Sequence, residues 1–525
     1  MRKLVLAAAL AALVSISPLA LAKDSHHAKP ASAASMLATP QASTTSGSVT
    51  VEGHTINYKA VAGTIVLHKD GDASGTPTVS MFYTAYFKKG APAKDRPITF
   101  IYNGGPGSAT VWLHMGAWGP RRVVTSDHTH TPAAPYQLVN NDYSLLDASD
   151  LVFIDAPGAG FSRLIANDKD PAKRAKQMQA RQKHFYSVDG DAQAFSHFVQ
   201  QFLSRYGRWN SPKYLFGESY GTTRSAVLAN DLTNNASVDL NGVILLSQIL
   251  NFNFSIDGAR RQPGDDVAYI GALPTYAATA WYHHKLPDQP AQLQPFLAKV
   301  EHYAMHQYAE ALLQGANLDQ AQKLAVAKQL HAFTGLPVDY LMKADLRVDG
   351  GMFEHELLGA SDESTGRLDT RFKGPSMDPM SEGSYYDPQS AAISSAYVAV
   401  FNNYARKTLD FGKGLHYRLY ANIKQWRSQH HGLRNGTLNV MPDLAQAMKA
   451  NPDLKVMLNG GYYDLATPFF TAEYEMKHLP IPASLQGNIS YHWYPSGHMV
   501  YAHVPSLKAL HDNVVKFIRS TENTH

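Results

Sequence analysis

Tyr214-Leu215-Phe216-Gly217-Glu218-Ser219-Tyr220-Gly221 reads as a short apolar strand running straight into a Gly-x-Ser-x-Gly turn. The residues after it, Thr222-Thr223-Arg224-Ser225-Ala226-Val227-Leu228-Ala229, have helical character, so the turn joins a strand to a helix. Such a turn pushes its serine out at the tip of a sharp bend. There a base can take the hydroxyl proton, and backbone N–H groups can receive a developing oxyanion. Ser219 is therefore a candidate nucleophile. A serine in a glycine-flanked turn is otherwise an ordinary turn residue, so the reading depends on partners elsewhere in the chain.

Working outward, strongly apolar strands are expected at Ile98–Tyr102, 151–155 and Gly242–Leu246, and helical spacing runs through 191–206 (Phe195, Phe198, Val199, Phe202, Leu203). Segments 49–69 and 76–89 alternate apolar and polar residues, as antiparallel strands at one edge of a sheet do. From 252 to 400 the character changes to amphipathic helices, such as 291–314 and 319–333, followed by a Gly-, Asp- and Pro-rich stretch over 362–388. Alternation then resumes with strand 454–458, a helix from Pro468, strand Ile489–Tyr494 and a closing helix over 505–520. Strands alternating with helices imply an α/β class fold, a mostly parallel sheet with helices on both faces. The expected organisation is a first part of the core over 49–251, a mainly helical cap insertion over 252–400 and a second part of the core over 401–525.

The N-terminus reads as that of an exported protein. Arg2 and Lys3 precede an apolar run, and Ala20-Leu21-Ala22 offers small residues for cleavage, so 1–22 reads as a signal peptide, too short for a permanent anchor. Residues 23–48, rich in Ala, Ser, Thr, Pro and His, read as a disordered linker. The mature protein is expected to be periplasmic or secreted. With 47 basic and 43 acidic side chains, the balance of +4 is too mild to argue for nucleic acid or a membrane surface as partner. The chain has no cysteine, which excludes disulfides and thiolate-ligated metals. Its histidine pairs, His26-His27, His283-His284 and His430-His431, lack the spacing with carboxylates of a zinc helix, as does His355-Glu356. They read as surface residues, and no metal or cofactor is expected.

In an α/β-hydrolase fold the triad follows the order serine, acid, histidine, each in a loop leaving the carboxyl end of a strand. Asp464 lies directly after strand 454–458, in Gly460-Gly461-Tyr462-Tyr463-Asp464, and His498 directly after Ile489–Tyr494, in Pro495-Ser496-Gly497-His498-Met499. His498 would take the proton from Ser219, and Asp464 would hold the imidazole tautomer. Strand Ile98–Tyr102 ends in Asn103-Gly104-Gly105-Pro106-Gly107, whose glycines would let backbone N–H groups approach a substrate closely. It is no phosphate loop, since no Lys-Ser/Thr follows, and Gly158-Ala159-Gly160 is no dinucleotide site.

Asn103-Gly104-Gly105-Pro106-Gly107, Asp155-Ala156-Pro157-Gly158-Ala159-Gly160-Phe161-Ser162, Gly217-Glu218-Ser219-Tyr220-Gly221, the Asp464 segment and Gly497-His498-Met499-Val500 are collinear. Together they resemble the serine carboxypeptidase family. The resemblance implies an α/β-hydrolase fold with an inserted cap, and the triad Ser219, Asp464 and His498. It also implies an oxyanion hole from the N–H groups of Gly105 and Tyr220, and a grip on the free C-terminal carboxylate of a peptide substrate by Asn103 and Glu218. A glutamate can hydrogen-bond a carboxylate only if one of the two is protonated, so peptide hydrolysis is expected to be favoured at acid pH. The chain departs from the family at Ile101, where a tryptophan is usual, and at Ala117, where a second glutamate is usual. Ser108 replaces a cysteine, and Ser247-Gln248 stands where Gly-Asn-Gly is expected. Two readings therefore stand beside the serine carboxypeptidase: an esterase or acyltransferase on the same triad, and a non-catalytic binding protein on a hydrolase scaffold.

Overall fold

The computed structural model describes residues 37–71, 74–424, 426–431 and 437–523. The expected signal peptide and most of the expected linker lie outside the described residues. Nine strands form the spine of the main sheet: β1 (Ala42–Val51), β2 (His54–His68), β3 (Pro77–Lys88), β4 (Ile98–Tyr102), β5 (Asp150–Ile154), β6 (Lys213–Glu218), β7 (Gly242–Leu246), β8 (Lys455–Gly461) and β9 (Ile489–Tyr494). Their spatial order is β1-β2-β3-β5-β4-β6-β7-β8-β9, with the short strand Arg163–Leu164 added beside β3. Strands β5 through β9 run parallel, while β1, β2 and β3 are antiparallel. Every residue of β4, β5 and β7 is buried, which is why these segments read as unbroken apolar runs rather than alternating ones.

The first strand corrects the linker boundary. β1 begins at Ala42, and it pairs along its whole length with β2, from Ala42 opposite Gly63 to Val51 opposite His54. The turn between them is Glu52-Gly53, with both residues at positive φ, the geometry that two-residue hairpins favour. An edge strand draws its stability from backbone bonds on one side and exposes alternate residues. The composition Ser-Thr-Thr-Ser-Gly-Ser therefore imitates a linker while serving as a strand.

Helices cover the sheet. α1 (Val188–Tyr206) and Met441–Ala450 each pack on α2 (Tyr220–Asn234), and the closing helix Val504–Thr521 packs on β7, β8 and β9. The helical segment after β7 builds a core of its own. Ala272 and Ala277 of Val267–Tyr282, Leu297 and Val300 of Leu293–Tyr303 and Leu330 of Gln320–Thr334 pack together, and this second core meets the first around Leu465 and Phe469. Helix Pro388–Lys407, placed in the cap by its position in the chain, instead sends Ala392, Ile393, Tyr397 and Phe401 into the main core. No helix among the described residues is long and apolar enough to cross a membrane.

Candidate active site

β6 ends at Glu218 and α2 begins at Tyr220, leaving Ser219 alone at the bend with φ 60° and ψ −132°. This sparsely populated backbone region costs on the order of 1–3 kcal/mol and persists only where the surroundings impose it. Here they do: Ser219 N–H donates to Leu246 O at 3.0 Å, and Thr222 donates to Ser219 O through its N–H at 2.8 Å and its hydroxyl at 2.7 Å. The flanking glycine is required by space. A Cβ on Gly217 would lie 2.2 Å from Gly221 O. Ser219 is partly exposed although its neighbours are buried, and its hydroxyl has no hydrogen-bond partner among the described residues.

The structure brings His498 and Asp464 together. His498 Nδ1 and Asp464 Oδ2 are 2.8 Å apart, and Asp464 is wholly buried. Thr467, which the motif reading passed over, completes the carboxylate's shell: its N–H donates to Oδ1 at 3.0 Å and its hydroxyl to Oδ2 at 2.6 Å. Burial pulls the His498 imidazole down, but the charges of Asp464 and Glu218 outweigh it, and its pKa is raised.

A segment that sequence reading did not single out supports both loops. Leu465 N–H donates to Arg367 O at 3.1 Å, Thr370 N–H to Tyr463 O at 2.9 Å and His498 N–H to Leu368 O at 2.6 Å. Gly497 N–H donates to Asp369 Oδ2 at 3.2 Å, and the buried Asp369 is itself held by Arg371 through bonds of 3.0 and 2.6 Å. A Cβ on Gly497 would lie 2.4 Å from Asp369 Cβ, so the glycine before the histidine is what admits this strap. From the sheet side, the Ser247 hydroxyl donates to His498 O at 2.6 Å.

The Asn103–Gly107 loop lies directly over the elbow. A Cβ on Gly104 would stand 2.4 Å from Tyr220 N and 2.7 Å from Gly221 N. Among the described residues the N–H groups of Gly105 and Tyr220 donate to no protein acceptor, so both are free to receive a negative oxygen. Arg224, one turn into α2, fixes the relation of elbow and loop. Its guanidinium is buried, paired with Asp191 of α1 at 2.7 and 3.2 Å, and donates to Asn103 O at 2.9 Å.

Asn103 Nδ2 donates to Glu218 Oε1 at 2.9 Å, while Asn103 Oδ1 accepts from Leu113 N–H at 3.1 Å. The other Glu218 oxygen, Oε2, and the Tyr501 hydroxyl are buried and make no hydrogen bond of ordinary geometry, though the hydroxyl is near enough to pull the carboxyl down as a weak donor. The two side chains act electrostatically on each other and on this pocket. Burial pushes the Glu218 carboxyl up to about 7, against the lowering pull of His498, Tyr501 and Asn103. The Tyr501 ring also packs against Gly116, beside Ala117. Only its place three residues after His498 pointed to it in the sequence.

The arrangement pairs a buried histidine with a carboxylate, leaves two backbone N–H groups beside the elbow without a protein acceptor and buries a carboxyl whose pKa is raised. The family model described as serine carboxypeptidase matches residues 55–511. No curated protein sequence matches the chain. Among solved structures, a proline iminopeptidase from Mycobacterium smegmatis is similar at 13% identity, covering 88% of this chain and 98% of that one, with a TM-score of 0.36. A thermophilic esterase from Thermogutta terrifontis is similar at 10% identity, covering 88% and 99%, with a TM-score of 0.33.

Proposed function

Because this chain belongs to the serine carboxypeptidase family, we propose that it removes C-terminal residues from peptides through an acyl-enzyme formed on Ser219. The observation that carries the reading is the buried Asn103–Glu218 pair beside the nucleophile, with Glu218 Oε2 and the nearby Tyr501 hydroxyl making no hydrogen bond of ordinary geometry. Unpaired buried polar atoms are rare, and in a site they mark where a ligand completes the hydrogen bonding. A peptide's terminal carboxylate is such a ligand: it accepts from protonated Glu218 and from the Tyr501 hydroxyl, and sits one residue from the scissile carbonyl.

In the proposed reaction Ser219 Oγ attacks that carbonyl as His498 takes its proton. The oxyanion is received by the N–H groups of Gly105 and Tyr220, and Asp464 stabilises the imidazolium. Breaking the C–N bond returns the proton from His498 to the leaving amino acid. Water, deprotonated by His498, then attacks the acyl-enzyme, and Ser219 recovers its proton. The same reading includes export, with residues 1–22 as the cleaved signal peptide and the mature enzyme periplasmic or secreted.

Substrate comparison tests the carboxylate grip. A blocked dipeptide with a free C-terminus should be hydrolysed with a kcat/KM about 100-fold or more above that of its C-terminal amide, since the amide leaves buried polar groups unpaired. Ile101 and Ala117 favour the second reading, an esterase or acyltransferase, and equal turnover of acid, amide and simple ester would establish it.

The pH profile follows from one shared proton. The productive form carries a neutral His498 and a protonated Glu218. Raising the pH ionises Glu218, whose carboxyl titrates at about 7, and sets it against the substrate carboxylate. Lowering the pH protonates His498. Peptide kcat/KM should therefore pass through a maximum on the acid side and fall above about pH 7. An ester without a carboxylate should lack the falling limb, and Glu218→Gln should remove it for peptides. A peptide kcat/KM rising steadily from about pH 4.5 to about pH 8 would contradict the assignment of Glu218.

A further inference from the structure

We propose that His430, His431 and Asp443 bind one divalent metal ion of the zinc class, at a site separate from the catalytic one. The histidine pair, read from sequence as a surface feature, is half buried: the His430 side chain is 5% exposed and that of Asp443 1%, while His431 is 63% exposed. Both rings aim Nε2 at a single carboxylate, His430 at Asp443 Oδ2 (2.8 Å) and His431 at Asp443 Oδ1 (2.9 Å). One ligand atom from each of the three lies within 4.8 Å of the others.

The surroundings supply the outer hydrogen bonds that a metal site needs. The other nitrogen of His430, Nδ1, faces Asp189 Oδ1 at 2.5 Å. Without an ion these contacts are those of an imidazolium between two carboxylates; with one, Asp189 keeps the Nδ1 proton and Nε2 becomes a ligand beside Asp443, the carboxylate–histidine–metal arrangement. Asn230 Nδ2 donates to Asp443 Oδ1 at 2.9 Å and orients the carboxylate in the same way. No lysine or arginine pairs with Asp189 or Asp443 among the described residues. By contrast, the superficially similar group Glu52, His511 and Asp512 gathers around the Lys508 ammonium, at 3.8 Å from Glu52 and 2.8 Å from Asp512, which already supplies a positive charge. Two imidazoles and a carboxylate suit zinc, not magnesium or calcium, and leave a fourth position for water. A cavity of about 350 Å³ lined by the three ligands, Asp189, Asn230 and Arg427 gives that water room and the ion a way in.

The ion's place in the fold gives it a structural task. Ala421 N–H donates to Gly107 O at 2.8 Å, in the oxyanion loop, and Trp426 packs edge-on against Tyr220 with centroids 5.2 Å apart. The strand of chain carrying these contacts ends at His430 and His431. A metal there fastens it to α1 through Asp189, to α2 through Asn230, and to Met441–Ala450 through Asp443.

The test uses the full chain, stripped by a chelator that is then removed, and zinc chloride alone as titrant in calorimetry. One zinc ion per chain should bind with micromolar or tighter affinity, and zinc but not magnesium should raise the melting temperature. Asp443→Asn should abolish binding. His431→Ala should weaken it about tenfold or more; that side chain is exposed, so this variant keeps its zinc-free melting temperature and decides the matter if Asp443→Asn fails to fold. His283→Ala, in another histidine pair, should bind as the parent does. Failure of the parent to bind zinc, or retention of the parent's affinity by His431→Ala, overturns the site.

Discussion

Ser219→Ala should lower kcat for peptide hydrolysis by about 10⁴- to 10⁶-fold while leaving the melting temperature unchanged. The size of the loss follows from the geometry of the elbow. The hydroxyl has no hydrogen-bond partner among the described residues, so its removal disturbs no contact, and alanine at φ 60° bears the same backbone cost as serine. Because the serine is the partly exposed residue at the bend, a fluorophosphonate probe should label the parent chain and leave the variant unlabelled. Residual hydrolysis within about 100-fold of the parent would mean that another group attacks the substrate. Failure of the parent to react with the probe would revive the non-catalytic scaffold.

The second large effect belongs to Asp464→Asn, expected to reduce kcat by about 10⁴-fold with little change in fold stability. Asparagine is nearly isosteric and Asp464 is wholly buried, so packing survives. Thr467 Oγ1 can turn from donor to acceptor, which satisfies the new amide. His498 has no such freedom. Its Nδ1 faces the altered oxygen at 2.8 Å, and an amide NH₂ there forces Nδ1 to become the acceptor. The ring proton then moves to Nε2, where the base must have its lone pair. Activity should be lost at every pH rather than shifted along the pH axis. A loss below about tenfold would show that Asp464 does not set the tautomer.

Much of this site was legible because its parts lie at the ends of apolar runs. Ser219 and Asp464 follow strands that are almost wholly buried, His498 follows the partly buried edge strand beside that of Asp464, and the parallel order brings their carboxyl ends to the same end of the sheet. The Asn103 loop was legible for the same reason. The rest left weaker traces. β1 looked like a linker because an edge strand of serine and threonine needs a partner's backbone, not apolar side chains. Tyr501 has a position in the sequence that says nothing of Glu218; the two meet only because the histidine loop and the elbow leave the same edge of the sheet. The 367–371 strap was illegible in principle, since it acts mainly through carbonyl groups, and its one buried ion pair reaches Gly497 across 128 residues. His430 read as a surface residue because burial of a histidine depends on which helices converge on it.

That strap bears on how such enzymes can diversify. It leaves the helical insertion and supplies the backbone acceptors that hold both the acid and the histidine loops. The insertion is therefore not a detachable lid whose exchange would alter specificity and spare the chemistry. A transplanted cap would have to carry its own equivalent of Arg367 through Arg371, in register, or the recipient would keep its sheet and lose its base. Drift elsewhere in the insertion leaves these contacts intact; drift in these five residues does not.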